Sequence, residues 1–299
     1  MNDSKRRLYA TTALIIAGIL GGLVPIAVKI ILKEIPNFTY LFLRLTIMIT
    51  ILIPLSWKHI SEIRRYWKYI AVLGVLWISN FILFIFGVRT TTALVSQLLT
   101  AGVPIYVLLE NTFMNKEKLS KWQIIGIIIG LLGAFFIITK GSTVQSYGSI
   151  HGNTLIFLSA ICSSLYLIGT KKCIKGQSPL AITASTAFVG WLVTAVLMFV
   201  FEGLRGFSVL PSVSTGVWMA VLFMGIVTGV IMWFLINIGL KYGSVIVASS
   251  MTYINILTAG VAGVFMLGEA ITSHSIIGGA FLIVGIFLST ITPLLRKTK

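Results

Sequence analysis

The sequence predicts an all-α integral membrane protein: ten transmembrane helices arranged as two inverted five-helix repeats, with the N- and C-termini cytoplasmic. Three observations predict it. Of 299 residues, 57% are hydrophobic and only 10% charged, against about 25% charged in soluble domains, so the apolar surface requires an apolar solvent. Apolar segments of about 20 residues, the length that crosses a hydrocarbon core of about 30 Å, nearly exhaust the chain. Its two halves also resemble each other. A soluble enzyme, a disordered chain and a disulfide scaffold are excluded by the first observation alone.

The spans, in order, begin with Leu8–Leu32. Lys5, Arg6 and Arg7 precede it as in a signal peptide, but the apolar run is too long and lacks a small-residue cleavage site, so it reads as an uncleaved span. Phe38–Trp57 is the second and carries Arg44. Tyr69–Val88, the third, has Trp77, Asn80, Phe81 and Phe84 on one stripe. The fourth, Thr90–Met114, places Gln97, Thr100 and Pro104 on one face by their spacing of three and four. Trp122–Thr139 is the fifth and is rich in glycine. In the sixth, Asn153–Thr170, Ser159, Ser163 and Tyr166 align. Leu180–Phe201 is the seventh, and Thr215–Leu240, the eighth, carries Trp233 and Asn237. The ninth, Ser244–Leu267, holds Ser249, Thr252, Tyr253 and Asn255, and Ser273–Leu295 completes the set. Little chain is left for a soluble domain or a long linker.

The basic residues set the orientation. Lys and Arg number 23 against 7 Asp and Glu, a net charge of +16. In a soluble chain that excess suggests nucleic acid; here it falls in loops. With the N-terminus inside, the inner segments hold Lys5, Arg6, Arg7, Lys58, Arg64, Arg65, Lys68, Lys116, Lys118, Lys121, Lys171, Lys172, Lys175, Lys241, Arg296, Lys297 and Lys299. The outer segments hold only Lys33, Arg89, Lys140 and Arg205. Basic loops are retained on the cytoplasmic side, so the charge describes orientation, and no nucleic-acid partner is expected.

The repeat is visible in register. Glu117–Gly126 reappears as Glu269–Gly278 at an offset of 152, which also places Gly133 on Gly285 and Gly87–Arg89 on Gly239–Lys241. Upstream, an offset of 142 places Lys29 on Lys171 and Lys33 on Lys175, with Pro36 beside Ser178-Pro179. The division is residues 1–141 and 150–299. Five spans per half is an odd number, so the second copy enters the membrane inverted. An inverted repeat makes two conformations open to opposite sides nearly equal in energy, with a site near the midplane between the halves.

At these residues the chain resembles the drug/metabolite transporter superfamily, specifically its EamA-type ten-span members. The resemblance rests on Gly87–Pro104, a small-residue fourth span with a proline, followed by Glu117 and the glycine-rich fifth span. Leu267-Gly268-Glu269 repeats the theme, and Gly22 with Lys29 and Pro36 with Arg44 also match. Two departures stand out. Ile256 occupies the position of Pro104, so the ninth span lacks the proline bend, and Gly21-Gly22, followed by Pro25, replaces the Trp-Gly of many members. The resemblance implies carriage of a small organic solute, an amino acid or related metabolite, often outward.

Polar groups are costly in lipid and face the bundle interior or a wet cavity. Trp77, Asn80, Phe84, Gln97, Thr100, Tyr166, Trp233, Asn237, Ser249, Thr252, Tyr253 and Asn255 are therefore the expected pocket. Its aromatic walls, amides and hydroxyls suit a small amphipathic solute. The alternative for each Ser, Thr or aromatic is packing or a bond to its own helix. The charges within spans are Lys29, Arg44 and Glu110. Lys29 and Arg44 lie toward the outer face. They either draw a substrate carboxylate or, respectively, snorkel and cap carbonyls. Glu110 is expected to snorkel or to pair with an inner lysine rather than to couple protons.

Cys162 and Cys173, some 16 Å apart along one helix, cannot pair with each other. His59, His151 and His274 lack a second ligand at metal spacing, so no metal and no cofactor is expected. No ATP-binding motif is present. The expected function is a secondary carrier working by alternating access; a membrane-embedded enzyme, or a receptor or channel without exchange, are the alternatives. The expected partners are a small-molecule substrate and the lipid bilayer. The glycines of the fifth and tenth spans fit either intramolecular packing or a dimer surface, leaving monomer and homodimer open. The expected location is multi-pass in a prokaryotic plasma (inner) membrane.

Overall fold

The computed structural model describes residues 3–115, 120–139, 149–243, 245, 248, 251–269, 271 and 273–288. Among these the regular structure is wholly helical. The main helices are α1 (Asp3–Ile31), α2 (Asn37–Ser56), α3 (Trp67–Val88), α4 (in two segments, Ala93–Thr100 and Val103–Asn115) and α5 (Lys121–Thr139). They continue as α6 (Ile150–Cys173), α7 (Pro179–Phe201), α8 (Thr215–Tyr242), α9 (Thr252–Leu267) and α10 (Ser273–Ile286). Among the described residues seven of these helices are long and apolar enough to cross a membrane, and α5, α9 and α10 contribute shorter apolar helices. Ser249, expected in the pocket, and Glu117, from the repeated motif, lie outside the described residues.

Local sequence explains where the helices depart from regularity. α4 breaks between Thr100 and Val103. Pro104 has no N–H to offer the Thr100 carbonyl, and its ring crowds that turn. α9 runs unbroken past Ile256, as the missing proline predicts. Within α8 the stretch Phe223–Met232 is π-helical, a wide turn that composition did not announce. Gly225 and Gly229 lie in it, and a Cβ at either would press on Ile47 or Met48 of α2.

The principal helix contacts are α3 with α6, α1 with α8, α1 with α9 and α4 with α6. To these are added α3 with α7, α2 with α8, and the pairs α2–α7, α4–α9 and α5–α10. If each helix is exchanged for the one five later or earlier, the first four form two interchanging pairs. α3–α7 exchanges with α2–α8, and the last three map onto themselves. The α5–α10 contact is built on glycine: a Cβ at Gly285 would stand 2.5 Å from the Gly130 nitrogen and 2.6 Å from the Gly126 carbonyl oxygen. These glycines pack α5 on α10 within one chain.

Carboxylates from distant loops cap helix N-termini, where unsatisfied N–H groups and the helix dipole favour an anion. Pro36, at the start of α2, has no side-chain cap. Glu202, beyond α7, accepts instead from the Phe38 N–H (2.8 Å) and the Thr39 N–H (2.7 Å). Reciprocally Glu62, beyond α2, accepts from the Ser178 N–H at the start of α7 (2.7 Å). Glu269 does the same for α4, accepting from the Ala93 N–H at 3.0 and 2.8 Å. It arrives there because Gly268 ends α9 in the left-handed region (φ 64°). That conformation closes the Glu269 N–H onto the Gly263 carbonyl and turns the chain back.

Candidate functional site

A cavity of about 90 Å³ lies among α1, α3, α4, α6, α8 and α9. Its walls come in repeat-related pairs. Ala17 of α1 and Ser159 of α6 stand at the sequence offset of 142, as do Gly21 and Ser163. Asn80, Phe81 and Phe84 of α3 stand at the offset of 152 from Met232, Trp233 and Ile236 of α8. Thr100 of α4 stands so from Thr252 of α9. Val24, Gln97, Met251 and Asn255 complete the lining.

Polar atoms reach this space from several helices. The Asn80 amide donates to the Ser159 carbonyl (2.8 Å) and hydroxyl (3.0 Å), tying α3 to α6. The Gln97 carbonyl oxygen is buried without a partner, an arrangement that costs about 1–3 kcal/mol and leaves an acceptor for a ligand. The Asn255 amide, with its NH2 toward α1, donates to the Gly18 carbonyl (2.6 Å). The Thr100 hydroxyl returns to its own helix at the Ser96 carbonyl (2.7 Å), the packing alternative expected of a threonine. A larger hollow of about 510 Å³, between α2, α3 and α7, is lined mainly by apolar groups such as Ile53, Trp57, Trp67 and Phe188, with Ser56 and Ser185. It gathers no amides, so the smaller central cavity is the candidate site.

Of the residues expected at the pocket, Asn80, Phe84, Gln97, Thr100, Trp233, Thr252 and Asn255 line the cavity. Trp77 and Tyr166 sit one layer behind, with the Trp77 ring edge-on to Phe81 (4.8 Å) and Trp233 (5.5 Å), and Tyr166 edge-on to Trp233 (5.4 Å). Tyr253 packs against the core instead of the lining. Asn237 is removed from the cavity altogether: its amide donates to the Thr183 hydroxyl of α7 at 2.8 Å, a helix-to-helix bond. The α1 contribution was not expected, because Ala17, Gly21 and Val24 carry no polar signal; only the repeat offset from Ser159 and Ser163 points to the first two.

The three charges have separate fates. Lys29 does not line the cavity; its ammonium pairs with Glu269 at 2.5 Å. Among the described residues Glu110 meets no lysine. One of its oxygens accepts from the Ser164 hydroxyl at 2.8 Å, and the other is buried without a partner. Arg44, 1% exposed, does cap a carbonyl. Its Nε donates to the Met224 oxygen in the π-helical stretch (3.1 Å), and its guanidinium stacks over the Phe81 ring, 4.2 Å from the centroid.

This arrangement of helices has known counterparts. The model of the EamA-like transporter family matches residues 8–139 and again residues 150–291. The chain belongs to the EamA-like transporter family. It is 26% identical over 248 residues to the uncharacterized transporter YyaM of Bacillus subtilis (strain 168), covering 82% of this chain and 80% of that one. An uncharacterized transporter of Archaeoglobus fulgidus is 24% identical over 281 residues, 94% and 96% of the two chains. A solved crystal structure superimposes with a TM-score of 0.69 at 20% identity, covering 97% of this chain and 98% of that chain, a likeness of fold. As an EamA-like transporter the protein is a multi-pass membrane protein that moves a solute across the bilayer. A Cβ at Gly21 would stand 2.8 Å from the Asn255 amide, so a polar side chain of α9 occupies the space beside this glycine.

Proposed function

We propose that this EamA-like transporter is a secondary carrier for a small organic solute, an amino acid or related metabolite, and that it works by alternating access. The observation that carries the reading is the pairing of cavity walls across the two repeats. A site lined by equivalent positions of both halves lies near their pseudo-twofold axis. Exchange of conformation between inverted halves then opens the same site to either side.

Ten spans in two inverted five-helix repeats, residues 1–141 and 150–299, fit the double family match and the exchange-symmetric helix contacts. The reciprocal caps of Glu62 on α7 and Glu202 on α2 fit the same relation. Loop charges favour cytoplasmic termini in a plasma membrane, which places the Lys29–Glu269 pair on the outer side, and the carrier is read as an exporter. Aromatic walls with the amides of Asn80, Gln97 and Asn255 suit a solute with an apolar body and polar ends.

The test is counterflow. Liposomes containing the purified chain are preloaded with unlabelled amino acids and metabolites, and uptake of labelled ones is followed. Saturable exchange of at least one solute is expected. Folded, reconstituted protein that exchanges none of them overturns the carrier reading. Imposed gradients of opposite polarity then give the preferred direction.

A further inference from the structure

We propose that Arg44 is the anchor for a carboxylate of the transported solute, which narrows the cargo to small organic acids and amino acids with an apolar body; this rests on the carrier reading above. Arginine stays charged in any protein environment, and a buried guanidinium without a counter-charge is strongly disfavoured. Arg44 is in that position. Both terminal nitrogens, Nη1 and Nη2, are buried without a hydrogen-bond partner. The group beside it is the buried, neutral Tyr40 hydroxyl, which interacts with the guanidinium but brings no counter-charge. The carboxylates of Glu269 and Glu202 are engaged elsewhere, Glu269 by Lys29 and the α4 N-terminus, and Glu202 by the start of α2.

The unmet groups form a donor set. The guanidinium offers the planar fork that matches two carboxylate oxygens, and the Tyr40 hydroxyl adds an O–H beside it. The fork is fixed before any ligand arrives. Its Nε is held by the Met224 carbonyl (3.1 Å), and its face rests on Phe81 (4.2 Å). Phe81 is also a wall of the central cavity, so one ring separates the cavity from the guanidinium. Rotation of that side chain is the movement that would bring the cavity to the guanidinium. The solute's carboxylate then meets Arg44 while its body lies among Phe84, Trp233 and the Asn80 amide. In the closed arrangement the Phe81 face stands in for part of the missing counter-charge by cation–π attraction.

The experiment uses the full chain in liposomes, with counterflow of labelled L-phenylalanine, L-leucine and L-lactate, and of phenethylamine and isoamylamine, which lack the carboxylate. Exchange of carboxylates is expected, with the amines exchanging and competing at least about 10-fold more weakly, the loss of one charge-assisted bidentate contact. Arg44→Gln is expected to lower carboxylate exchange by roughly the same factor, with Arg44→Lys recovering part of it as a point charge without the fork. Amines exchanging as well as the acids, or Arg44→Gln exchanging acids at the wild-type rate, overturns the assignment and leaves the carrier reading intact. No exchange of any solute by folded protein overturns both. If Arg44→Gln does not fold, the acid-to-amine comparison in the wild-type protein still decides.

Discussion

Lys29 of α1 and Glu269, in the turn after α9, hold their side chains 2.5 Å apart, nitrogen to oxygen, directly over the N-terminus of α4. One carboxylate thus serves an ammonium, a backbone N–H and a helix dipole, and joins three helices from both halves of the chain. The two side chains are 21% and 12% exposed, so water screens the pair only weakly. Glu269→Ala leaves a partly buried ammonium and takes the acceptor from the Ala93 N–H, although Thr92 still caps the helix at Val95, and is expected to cost about 2–4 kcal/mol. Glu269→Gln keeps an acceptor for the Ala93 N–H and should cost less. Thermal melting of the detergent-solubilised variants checks the order. An alanine variant as stable as wild type would show that the contact contributes nothing.

Gly285 and Gly216 make opposite predictions for the same substitution. A Cβ at Gly285 meets the backbone of Gly130 and Gly126 at 2.5–2.6 Å, and backbone cannot rotate away. Gly285→Ala should force α5 and α10 apart and cost about 1–3 kcal/mol. Gly216, in the first turn of α8, has nothing within 4 Å of its Cβ position. Gly216→Ala should be neutral, or stabilise by about 0.4–1 kcal/mol through the unfolded chain. Paired melting curves test both, and equal effects would remove the packing argument.

What the residues announced in advance follows from the kind of signal each carries. Helices were legible because lipid demands length and apolarity, and the α4 break because proline removes a hydrogen bond. The polar lining at Asn80, Gln97 and Asn255 was legible because primary amides have several bonding groups to satisfy. Partners were not legible. Glu269 stood out only as part of a repeated motif, and its pairing with Lys29 depends on a left-handed Gly268 and on α1 crossing α9. The π-helical stretch of α8, which presents the Met224 carbonyl to Arg44, has no compositional mark. Ala17 and Gly21 line the cavity through absence of bulk, which a search for polar side chains passes over.

Asn80 and Asn237 separate a cavity role from a packing role. Asn80 lines the cavity, while Asn237 joins α8 to α7 through Thr183. Gln97→Ala should lower exchange several-fold at near-normal folded yield, and Asn80→Ala, which also severs the α3–α6 bonds, should lower exchange several-fold per folded molecule. Asn237→Ala should cost about 1–2 kcal/mol, a membrane hydrogen bond with the void it leaves. Its exchange per folded molecule should be unchanged. Counterflow normalised to folded protein, beside melting temperature, gives both readouts. Loss of exchange without loss of stability in Asn237→Ala would return that residue to the solute path.

Glu110 presents the reverse case to a stabilising carboxylate. Its single hydrogen bond comes from the Ser164 hydroxyl, and that hydroxyl also lies 2.8 Å from the Ile161 carbonyl of its own helix. Removing the carboxylate therefore leaves Ser164 satisfied. It also eliminates a buried oxygen without a partner. Glu110→Met keeps an unbranched side chain of similar length and should be neutral or stabilise by about 1–4 kcal/mol, as when buried ionic groups give way to well-packed apolar ones. The expected result is an equal or higher melting temperature with counterflow retained. A clear fall in melting temperature would mean that the carboxylate supports the fold. Retained stability with lost exchange would instead assign Glu110 a part in transport, outside the cavity that the amides define.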